Sequence, residues 1–374
     1  MDKKSKIGKG ILAACILGGI VGCADVPESI AGIPFWEGNT VYGESLLFVK
    51  QGDSAASCSC LFKPEKIIEL KSTSKGIVYI QGKDYVLKTN SREIVLPPGS
   101  RIFFLESESL FPPAGTKNSI SHKKDDPDRN VLFHRWTGFL EMQVEVTYEH
   151  AEKWSGTLPR FAGDRLPKFY DKLIKHEAVR VTILGDSITA GFNASGVVGI
   201  PPEQPDWQLL WVSGMEKCFR ISVARSGKAA PGRTIGWMLQ NMAEQLDTHP
   251  DLVVIAFGMN DYMAYKDAKL FQQKLKEMMD RFREKVPACE YLLVSPMLAN
   301  PDWSNASWPL AFDYLDAMRQ LEGEGVVVAD LTSLWNDMLK RKSYVSQTGN
   351  GVNHPNDFGH RVYAQFLLSM FIKK

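Results

Sequence analysis

The pattern of apolar and polar positions changes character near residue 180. Beyond that point, short apolar runs alternate with stretches in which apolar residues recur every three or four positions. The short runs are typical of buried strands, and the three- and four-residue spacing is typical of amphipathic helices. Five strands alternating with helices predict a parallel sheet covered by helices on both faces. The predicted strands are 181–184, 221–224, 252–257, 291–295 and 326–329.

The segments between these strands carry the helical spacing. The clearest case is 268–285, where apolar residues recur at three- and four-residue steps through most of its length. Such a stripe predicts a helix that lies with one face on the sheet. The predicted helices are 207–217, 235–246, 268–285, 310–322 and a closing helix at 358–371.

Residues 46–157 follow a different pattern. Short β-type runs are separated by turn signals such as Pro97-Pro98-Gly99 and Asp126-Pro127, and no long helical period occurs. This pattern predicts a small all-β, sandwich-like domain. We therefore expect a β-domain at 46–157, a connector at 158–179 and an α/β domain at 180–374.

The start of the chain has the pattern of a targeting segment. Four lysines fall among the first nine residues, and an apolar stretch at 11–21 leads to Gly22-Cys23. This arrangement resembles a bacterial lipobox, which implies a signal peptide at 1–22, a lipidated Cys23 and a tether at 23–45. A plain secretory signal or a short signal anchor is the alternative. Either interpretation predicts an exported protein; the lipobox predicts a lipoprotein anchored in the cell envelope, periplasmic or surface-facing.

Composition narrows the classes of partner. The formal net charge is +1, with 23% charged and 44% hydrophobic residues, as in ordinary globular proteins. This balance gives no electrostatic basis for binding nucleic acid. Apart from Cys15 and Cys23 the cysteines are Cys58, Cys60, Cys218 and Cys289. None of them has a second pair at zinc spacing, so we interpret Cys58 and Cys60 as structural.

Three short polar blocks follow predicted strands or precede the last helix. Gly185-Asp186-Ser187 follows the first strand, Gly258-Met259-Asn260-Asp261 follows the third, and His354-Pro355 comes just before the closing helix. The carboxyl ends of parallel strands meet at one edge of a sheet, so the three blocks could converge there. Acyl transfer needs such a set, namely a nucleophile, a base and donors for the developing oxyanion.

These blocks, in this order, resemble those of the SGNH/GDSL hydrolase family. The resemblance covers residues 180–374 and does not extend to the β-domain. It implies a flavodoxin-like, three-layer α/β hydrolase domain with a parallel five-stranded sheet. No metal or cofactor is implied, because the chemistry of the family needs none.

The resemblance also implies a role for each matching residue. Ser187 would be the nucleophile and His354 the general base. The oxyanion hole would consist of the Ser187 N–H, a glycine N–H and the side chain of Asn260. Gly232 best matches the glycine position, and Gly227 is the alternative.

One position departs from the pattern of the family. The residue three before the histidine is usually an aspartate that orients the imidazole, and here it is Gly351. Loss of such a carboxylate costs a serine protease about ten-thousandfold in rate. Asn350, Asn353 or a backbone carbonyl in this loop could accept the imidazole N–H instead. A Ser–His dyad, a triad with a substituted third member and an inactive enzyme therefore remain open.

We interpret the chain as an exported serine esterase that removes O-acetyl groups from carbohydrate. A β-domain before an SGNH domain resembles the layout of some bacterial carbohydrate esterases, and the expected partners are an acylated carbohydrate or another small ester and, through the anchor, a membrane. Trp303 and Trp308 are candidates for a sugar-stacking rim or are packing residues. The alternatives are a non-catalytic glycan-binding lipoprotein and an envelope lipase or thioesterase.

Overall fold

The computed structural model describes residues 33–373. The predicted signal peptide at 1–22 and the lipidation site Cys23 lie outside the described residues, as does the first part of the predicted tether. Within 33–373, no helix combines the length and the apolar character needed to cross a bilayer.

The N-terminal half consists of short strands, one five-residue α-helix and a 3-10 helix at Ser107–Leu110. Side chains alternate between core and surface along its longer strands, as on a sheet with one buried face; in the last of them, Val144, Val146 and Tyr148 point inward. The elements are β1 (Thr40–Leu46), β2 (Phe48–Lys50), β3 (Ser57–Ser59), β4 (Lys66–Ser72), β5 (Val86–Leu87), β6 (Glu93–Val95), β7 (Phe104–Glu106), β8 (Ser119–Ile120), β9 (Val131–Leu132), α1 (Gly138–Met142) and β10 (Val144–Glu149).

These strands form three sheets. β10 lies between β1 and β4 in an antiparallel sheet, and β8 pairs with β9 in a hairpin. A five-stranded sheet has the order β5-β6-β3-β2-β7, in which β2 and β7 run parallel. The prediction of a β-domain before the α/β domain is confirmed, with two short helices added.

The tether prediction is wrong for residues 33–45. β1 begins at Thr40, and Phe35 and Trp36 are buried in the core. The ring of Phe35 contacts that of Trp154 edge to face, with centroids 4.9 Å apart, and also lies near Phe358 of the last helix. These aromatic side chains remove a large apolar area from water, so this segment belongs to the folded body.

The C-terminal half alternates strands and helices. Its elements are α2 (Pro167–Ile174), β11 (Val179–Gly185), α3 (Ser195–Val198), α4 (Trp207–Phe219), β12 (Val223–Ala229), α5 (Ile235–Gln240), α6 (Ala243–Leu246), β13 (Leu252–Ala256), α7 (Met259–Tyr265), α8 (Ala268–Lys285), β14 (Glu290–Val294), α9 (Trp308–Arg319), β15 (Val326–Ala329), α10 (Leu331–Leu339) and α11 (Asp357–Ser369). The first of them, α2, falls in the predicted connector and buries Phe169 and Leu173.

The five strands form one parallel sheet in the order β12-β11-β13-β14-β15. This is the flavodoxin-like order, and the predicted three-layer α/β fold is confirmed. The chain order reverses between β11 and β13, where Gly185 lies opposite Ala256. A crevice opens beyond the carboxyl ends of two such strands, so the topology directs ligands to this point.

Some predicted bounds are wrong. The second strand was expected at 221–224 but runs from Val223 to Ala229, at the edge of the sheet. Several of its side chains are exposed, so it lacks the apolar run of a buried strand. The helix predicted at 235–246 is two short helices, α5 and α6, and α10 was not expected.

A buried ion pair joins the two halves. Glu44 of β1 and Lys342, which follows α10, have fully buried side chains with Oε1 and Nζ 2.7 Å apart. The Glu44 carboxylate also accepts the Tyr148 hydroxyl at 2.6 Å and the Leu61 N–H at 3.0 Å. Lys342 donates to the carbonyl of Ser45 at 2.6 Å. Because both charges are hydrogen-bonded, their desolvation is offset and the relative position of the halves is defined.

We expect Lys342→Met to lower the free energy of unfolding by about 3–5 kcal/mol, because it leaves the Glu44 carboxylate buried without its partner. The double variant Glu44→Gln/Lys342→Met should recover part of that loss. Lys276→Met, which breaks an exposed pair with Asp280, is the control and should change stability by less than about 1 kcal/mol. Denaturant unfolding measures all three. Equal effects of Lys342→Met and Lys276→Met would contradict this account of the interface.

Candidate active site

Ser187 lies in the tight turn directly after β11. A Cβ on Gly185 would meet the Thr189 side chain and lie 2.7 Å from the carbonyl of Ala256, so only glycine fits at the end of this strand. The carbonyl of Ser187 accepts the Phe192 N–H at 3.0 Å, which fixes the backbone of the turn. The residue is 4% exposed. The turn therefore holds the hydroxyl at the switch point of the sheet.

Asp186 braces this turn. Its Oδ1 accepts the Ile188 N–H at 2.9 Å, and its Oδ2 accepts from Nδ2 of Asn260 at 3.3 Å. Burial, together with the nearby Asp261 carboxylate, raises the pKa of Asp186 to about 7. The contacts agree with the interpretation of Asp186 as a structural residue of the turn.

Asn260 lies in the first turn of α7, directly after β13. Asp261 fixes this helix start, because its carboxylate accepts the Gly258 N–H at 3.1 Å and the Ile235 N–H at 2.9 Å. Besides Asp186, Nδ2 of Asn260 contacts the carbonyl of Arg233 at 3.1 Å. The amide thus lies against the residue that precedes Ser187. An oxyanion at Ser187 would compete with these two acceptors for its protons.

The structure brings His354 to Ser187 across 167 residues of chain. Nε2 of His354 lies 2.8 Å from Oγ of Ser187, which is hydrogen-bond distance. Desolvation by the surrounding protein, with a smaller effect of the His360 charge, lowers the pKa of His354 to about 3. The imidazole is therefore neutral at pH 7 and able to accept a proton.

Asn193 contacts the other nitrogen of this imidazole. Its Oδ1 lies 2.7 Å from Nδ1 of His354. Its Nδ2 donates to the carbonyl of Trp136 at 2.7 Å and lies 3.3 Å from that of Arg135. An amide nitrogen must face carbonyls, so the amide oxygen faces His354 and accepts its Nδ1–H. Nε2 is then unprotonated and accepts the Ser187 hydroxyl proton.

Asn193 was not predicted from the sequence. It lies in the turn after Ser187 with φ +66°, a left-handed conformation in which asparagine is common. An asparagine at such a place indicates a turn, and nothing in the local pattern links it to His354. Its role depends on the contact with His354, which is 161 residues away in the sequence.

The prediction that Asn350 or Asn353 orients the imidazole is wrong. Oδ1 of Asn350 accepts the backbone N–H groups of Val352, Asn353 and His354 at 2.9–3.1 Å. Its Nδ2 donates to Oδ1 of Asn353 at 2.9 Å. Both side chains are occupied in shaping the turn that carries His354.

Gly351 fills a position where the N-terminal half comes close. Its φ is +96°, and a Cβ there would lie 2.2 Å from the carbonyl of Leu132 and 2.8 Å from the Phe139 ring. The His134 N–H donates to the carbonyl of Asn350 at 3.0 Å, which adds a backbone hydrogen bond between this loop and the N-terminal half. No aspartate can occupy this position without displacing the β-domain.

The two glycine candidates differ. Gly227 pairs with Ile183 inside the sheet, and a Cβ on it would lie 1.9 Å from the carbonyl of Ile183. Strand packing requires a glycine here, which accounts for Gly227 without a role as oxyanion donor. Gly232 lies in an exposed turn before α5 with φ +70° and open space around it. Its N–H as an oxyanion donor stays a prediction.

The tryptophans differ in their exposure to solvent. Trp303 is 5% exposed and donates to the carbonyl of Ser121 at 2.7 Å, and Trp308 donates to that of Ala299 at 2.9 Å. Trp303 is therefore a packing residue, which is one of the two alternatives, and Trp308 is half-buried with its indole N–H bonded within the protein. Trp136 of the N-terminal half is instead 51% exposed. Its ring lies 5.8 Å from that of Phe192, which lies 5.8 Å from the imidazole of His354.

The cysteine pair does not resemble a ligand site. Cys58 and Cys60 are buried and carry no disulfide, and burial raises the pKa of both thiols. Within the described part of the chain, no three His, Cys, Asp or Glu side chains are grouped so that they could hold a metal ion.

Comparison with known proteins adds a family and a set of similar folds. Residues 183–362 match the model of the GDSL-like Lipase/Acylhydrolase family. No curated protein sequence matches the chain.

Three solved structures are similar to parts of this chain. The lipase Lip_vut3 from a goat rumen metagenome shares 19% identity over 52% of this chain and 99% of its own, with a TM-score of 0.41. A two-domain esterase active on acetylated mannans, CEX, co-crystallised with mannopentaose, shares 18% identity over 57% of this chain and 54% of its own, with a TM-score of 0.44. The acetylxylan esterase Axe2 from Geobacillus stearothermophilus shares 16% identity over 52% of this chain and 95% of its own, with a TM-score of 0.41.

Proposed function

Because residues 183–362 belong to the GDSL-like lipase/acylhydrolase family, we propose that this chain is a serine esterase that uses Ser187 as nucleophile and His354 as general base. The observation that carries the proposal is the contact of 2.8 Å between Oγ of Ser187 and Nε2 of His354. The amide of Asn193 leaves that nitrogen unprotonated. A serine is a weak nucleophile until such a base takes its proton.

The reaction proceeds in two steps at this pair. Oγ of Ser187 attacks the ester carbonyl while Nε2 of His354 takes the hydroxyl proton, and the carbonyl oxygen becomes an oxyanion. His354 then gives the proton to the leaving alcohol oxygen as the C–O bond breaks, which leaves an acyl group on Ser187. Water then attacks the acyl carbon while Nε2 of His354 takes its proton. His354 returns that proton to Oγ as the bond between the acyl carbon and Oγ breaks, which releases the acid and free Ser187.

The oxyanion requires donors that are already in place. We assign this role to the N–H of Ser187, the N–H of Gly232 and Nδ2 of Asn260. The position of the Asn260 amide beside Asp186 supports its part in this set.

The proposed substrate class is O-acetylated carbohydrate. Its support is the exposed ring of Trp136 beside Phe192 and His354. The apolar face of a sugar ring can pack on such an indole, which would place an acetyl group at Ser187. The guanidinium carbon of Arg135 lies 5.3 Å from the centroid of the Trp136 ring, so polar donors stand beside the indole.

We further propose that the protein is exported and carries a lipid on Cys23. The basic start and the short apolar stretch before Gly22-Cys23 support this proposal. In a bacterial host, the wild type should label with radioactive palmitate and fractionate with membranes, because acylation gives it a hydrophobic anchor. Cys23→Ser should lose the label and leave the membrane fraction, and Cys58→Ser is the control. Labelling that survives Cys23→Ser would contradict the proposal.

The esterase proposal predicts turnover of p-nitrophenyl acetate, butyrate and octanoate in the order of decreasing rate. Ser187→Ala and His354→Ala should each lower kcat by at least about a thousandfold, because the two residues act as one unit. Ser54→Ala, at an exposed serine of the N-terminal half, is the control. A preference for octanoate would assign the enzyme to lipid esters. Turnover no greater than that of Ser187→Ala on every ester would refute the esterase and leave a glycan-binding protein.

The carbohydrate proposal predicts a selective effect of Trp136→Ala. The variant should raise KM for O-acetylated xylo- or manno-oligosaccharides about tenfold more than KM for p-nitrophenyl acetate, since only the oligosaccharide can stack on the indole. A tenfold difference corresponds to about 1.4 kcal/mol of binding. Phe103→Ala removes another exposed aromatic ring of the N-terminal half and is the matched control. Equal changes for both substrates would exclude a sugar platform at Trp136.

A further inference from the structure

The position of the usual orienting carboxylate has no room for a side chain in this protein. Gly351 stands three residues before His354, where an added side chain would collide with the carbonyl of Leu132 and the ring of Phe139. Both blocking groups come from the N-terminal half. The absence of an aspartate is therefore a direct consequence of how that half packs on the histidine loop.

The same stretch of the N-terminal half reaches the other side of the imidazole. The carbonyls of Arg135 and Trp136 accept from Nδ2 of Asn193, whose Oδ1 contacts Nδ1 of His354. Asn193 is fully buried, so water does not compete for these bonds. One continuous segment thus blocks the aspartate position and secures a different partner for the imidazole.

We propose that Asn193 is the positioning residue of the Ser187–His354 pair, and that the N-terminal domain sets its orientation through the backbone carbonyls of Arg135 and Trp136. This inference rests on the proposed esterase function. It assigns the β-domain a part in catalysis, since without the two carbonyls the amide of Asn193 has no fixed direction.

The fixed direction matters because an amide has two different ends. When an asparagine replaces the orienting aspartate of a serine protease, geometry is retained but the wrong histidine tautomer lowers kcat about ten-thousandfold. An unconstrained amide can turn its NH₂ toward the imidazole and favour that tautomer. Here the turned amide would place Oδ1 against the carbonyls of Arg135 and Trp136 and lose both bonds. The carbonyls of Arg135 and Trp136 therefore select the tautomer of His354 with the proton on Nδ1.

A neutral orienter has a second consequence. It fixes the imidazole but adds no negative charge to stabilise the protonated form. Among the described residues, the titratable group whose charge acts on His354 is His360 of α11, and it also disfavours protonation. The carboxylate of Asp357 is directed to the Ser195 N–H at 2.7 Å. His354 thus stays neutral well below the pH at which an ordinary histidine titrates.

The tautomer can be measured without any substrate. In protein labelled with ¹⁵N-histidine, the nitrogen shifts and couplings of each imidazole identify which nitrogen carries the proton. We expect His354 of the wild type, assigned by its loss in His354→Ala, to be the Nδ1–H tautomer at pH 7. In Asn193→Gly that single form should be replaced by a mixture. A wild-type Nε2–H tautomer, or a spectrum unchanged in Asn193→Gly, would overturn the proposal.

Kinetics provide the second readout. Asn193→Gly removes the amide while keeping a residue that accepts φ +66°, so backbone strain is not introduced. With p-nitrophenyl acetate we expect kcat to fall at least tenfold and KM to change less than threefold. Asn90→Gly, at an exposed asparagine with φ +53°, is the matched control and should resemble the wild type. A kcat within threefold of the wild type in Asn193→Gly would contradict the inference.

The charged variant Asn193→Asp separates positioning from a merely structural role. A carboxylate at this place would raise the pKa of His354, so the acid limb of the rate profile should move up by at least one pH unit. An acid limb that stays where it is in the wild type would overturn the proposal, even if Asn193→Gly failed to fold. Loss of all Ser187-dependent turnover in the wild type would refute the esterase function instead, and the tautomer measurement would still decide the role of Asn193.

Discussion

The contact between residues 132–136 of the N-terminal half and the loops of the hydrolase domain is the constraint on which the site depends. Backbone groups make it: carbonyls of the N-terminal segment press on Gly351 and hold Asn193, and the His134 N–H binds the carbonyl of Asn350. Backbone contacts of this kind are insensitive to side-chain identity, so they leave little trace in a sequence. The buried Glu44–Lys342 pair joins the same two halves.

The parallel sheet determines where the turns that carry Ser187 and Asn260 lie. Because the strand order reverses between β11 and β13, the turns carrying Ser187 and Asn260 emerge side by side. The loop before α11 then brings His354 over them. Burial raises the pKa of Asp186 and Asp261 and lowers that of His354, so desolvation favours the uncharged forms of these three groups. An oxyanion formed there would meet fixed dipoles in a poorly solvated place, where they act most strongly.

The sequence allowed the fold class and the meeting of Ser187 with His354 to be predicted, because both follow from local patterns. Apolar runs predict the strands of the sheet, and the polar blocks that follow the strand ends predict the position of the site. The orienting residue could not be predicted in this way. The missing aspartate at Gly351 is visible in the sequence, but its cause is the carbonyl of Leu132, more than two hundred residues earlier. Trp136 was missed for a similar reason, since its place beside Phe192 depends on how the halves pack.

The edge strand shows a second limit of pattern reading. β12 has one neighbour in the sheet and keeps several side chains in water, so its residues resemble a loop. The error in its bounds also affected the choice between Gly227 and Gly232. Only the pairing of Gly227 with Ile183 shows that this glycine is needed inside the sheet.

The central claim is that Ser187 is a nucleophile activated by an imidazole held in one tautomer. Its most direct test is reaction with a fluorophosphonate, followed by intact mass and peptide mapping. The account predicts one phosphonyl group per chain, on Ser187, formed quickly in the wild type, more slowly in Asn193→Gly and hardly at all in His354→Ala. Absence of the adduct, its presence on another residue, or equal labelling rates in all three proteins would contradict the claim.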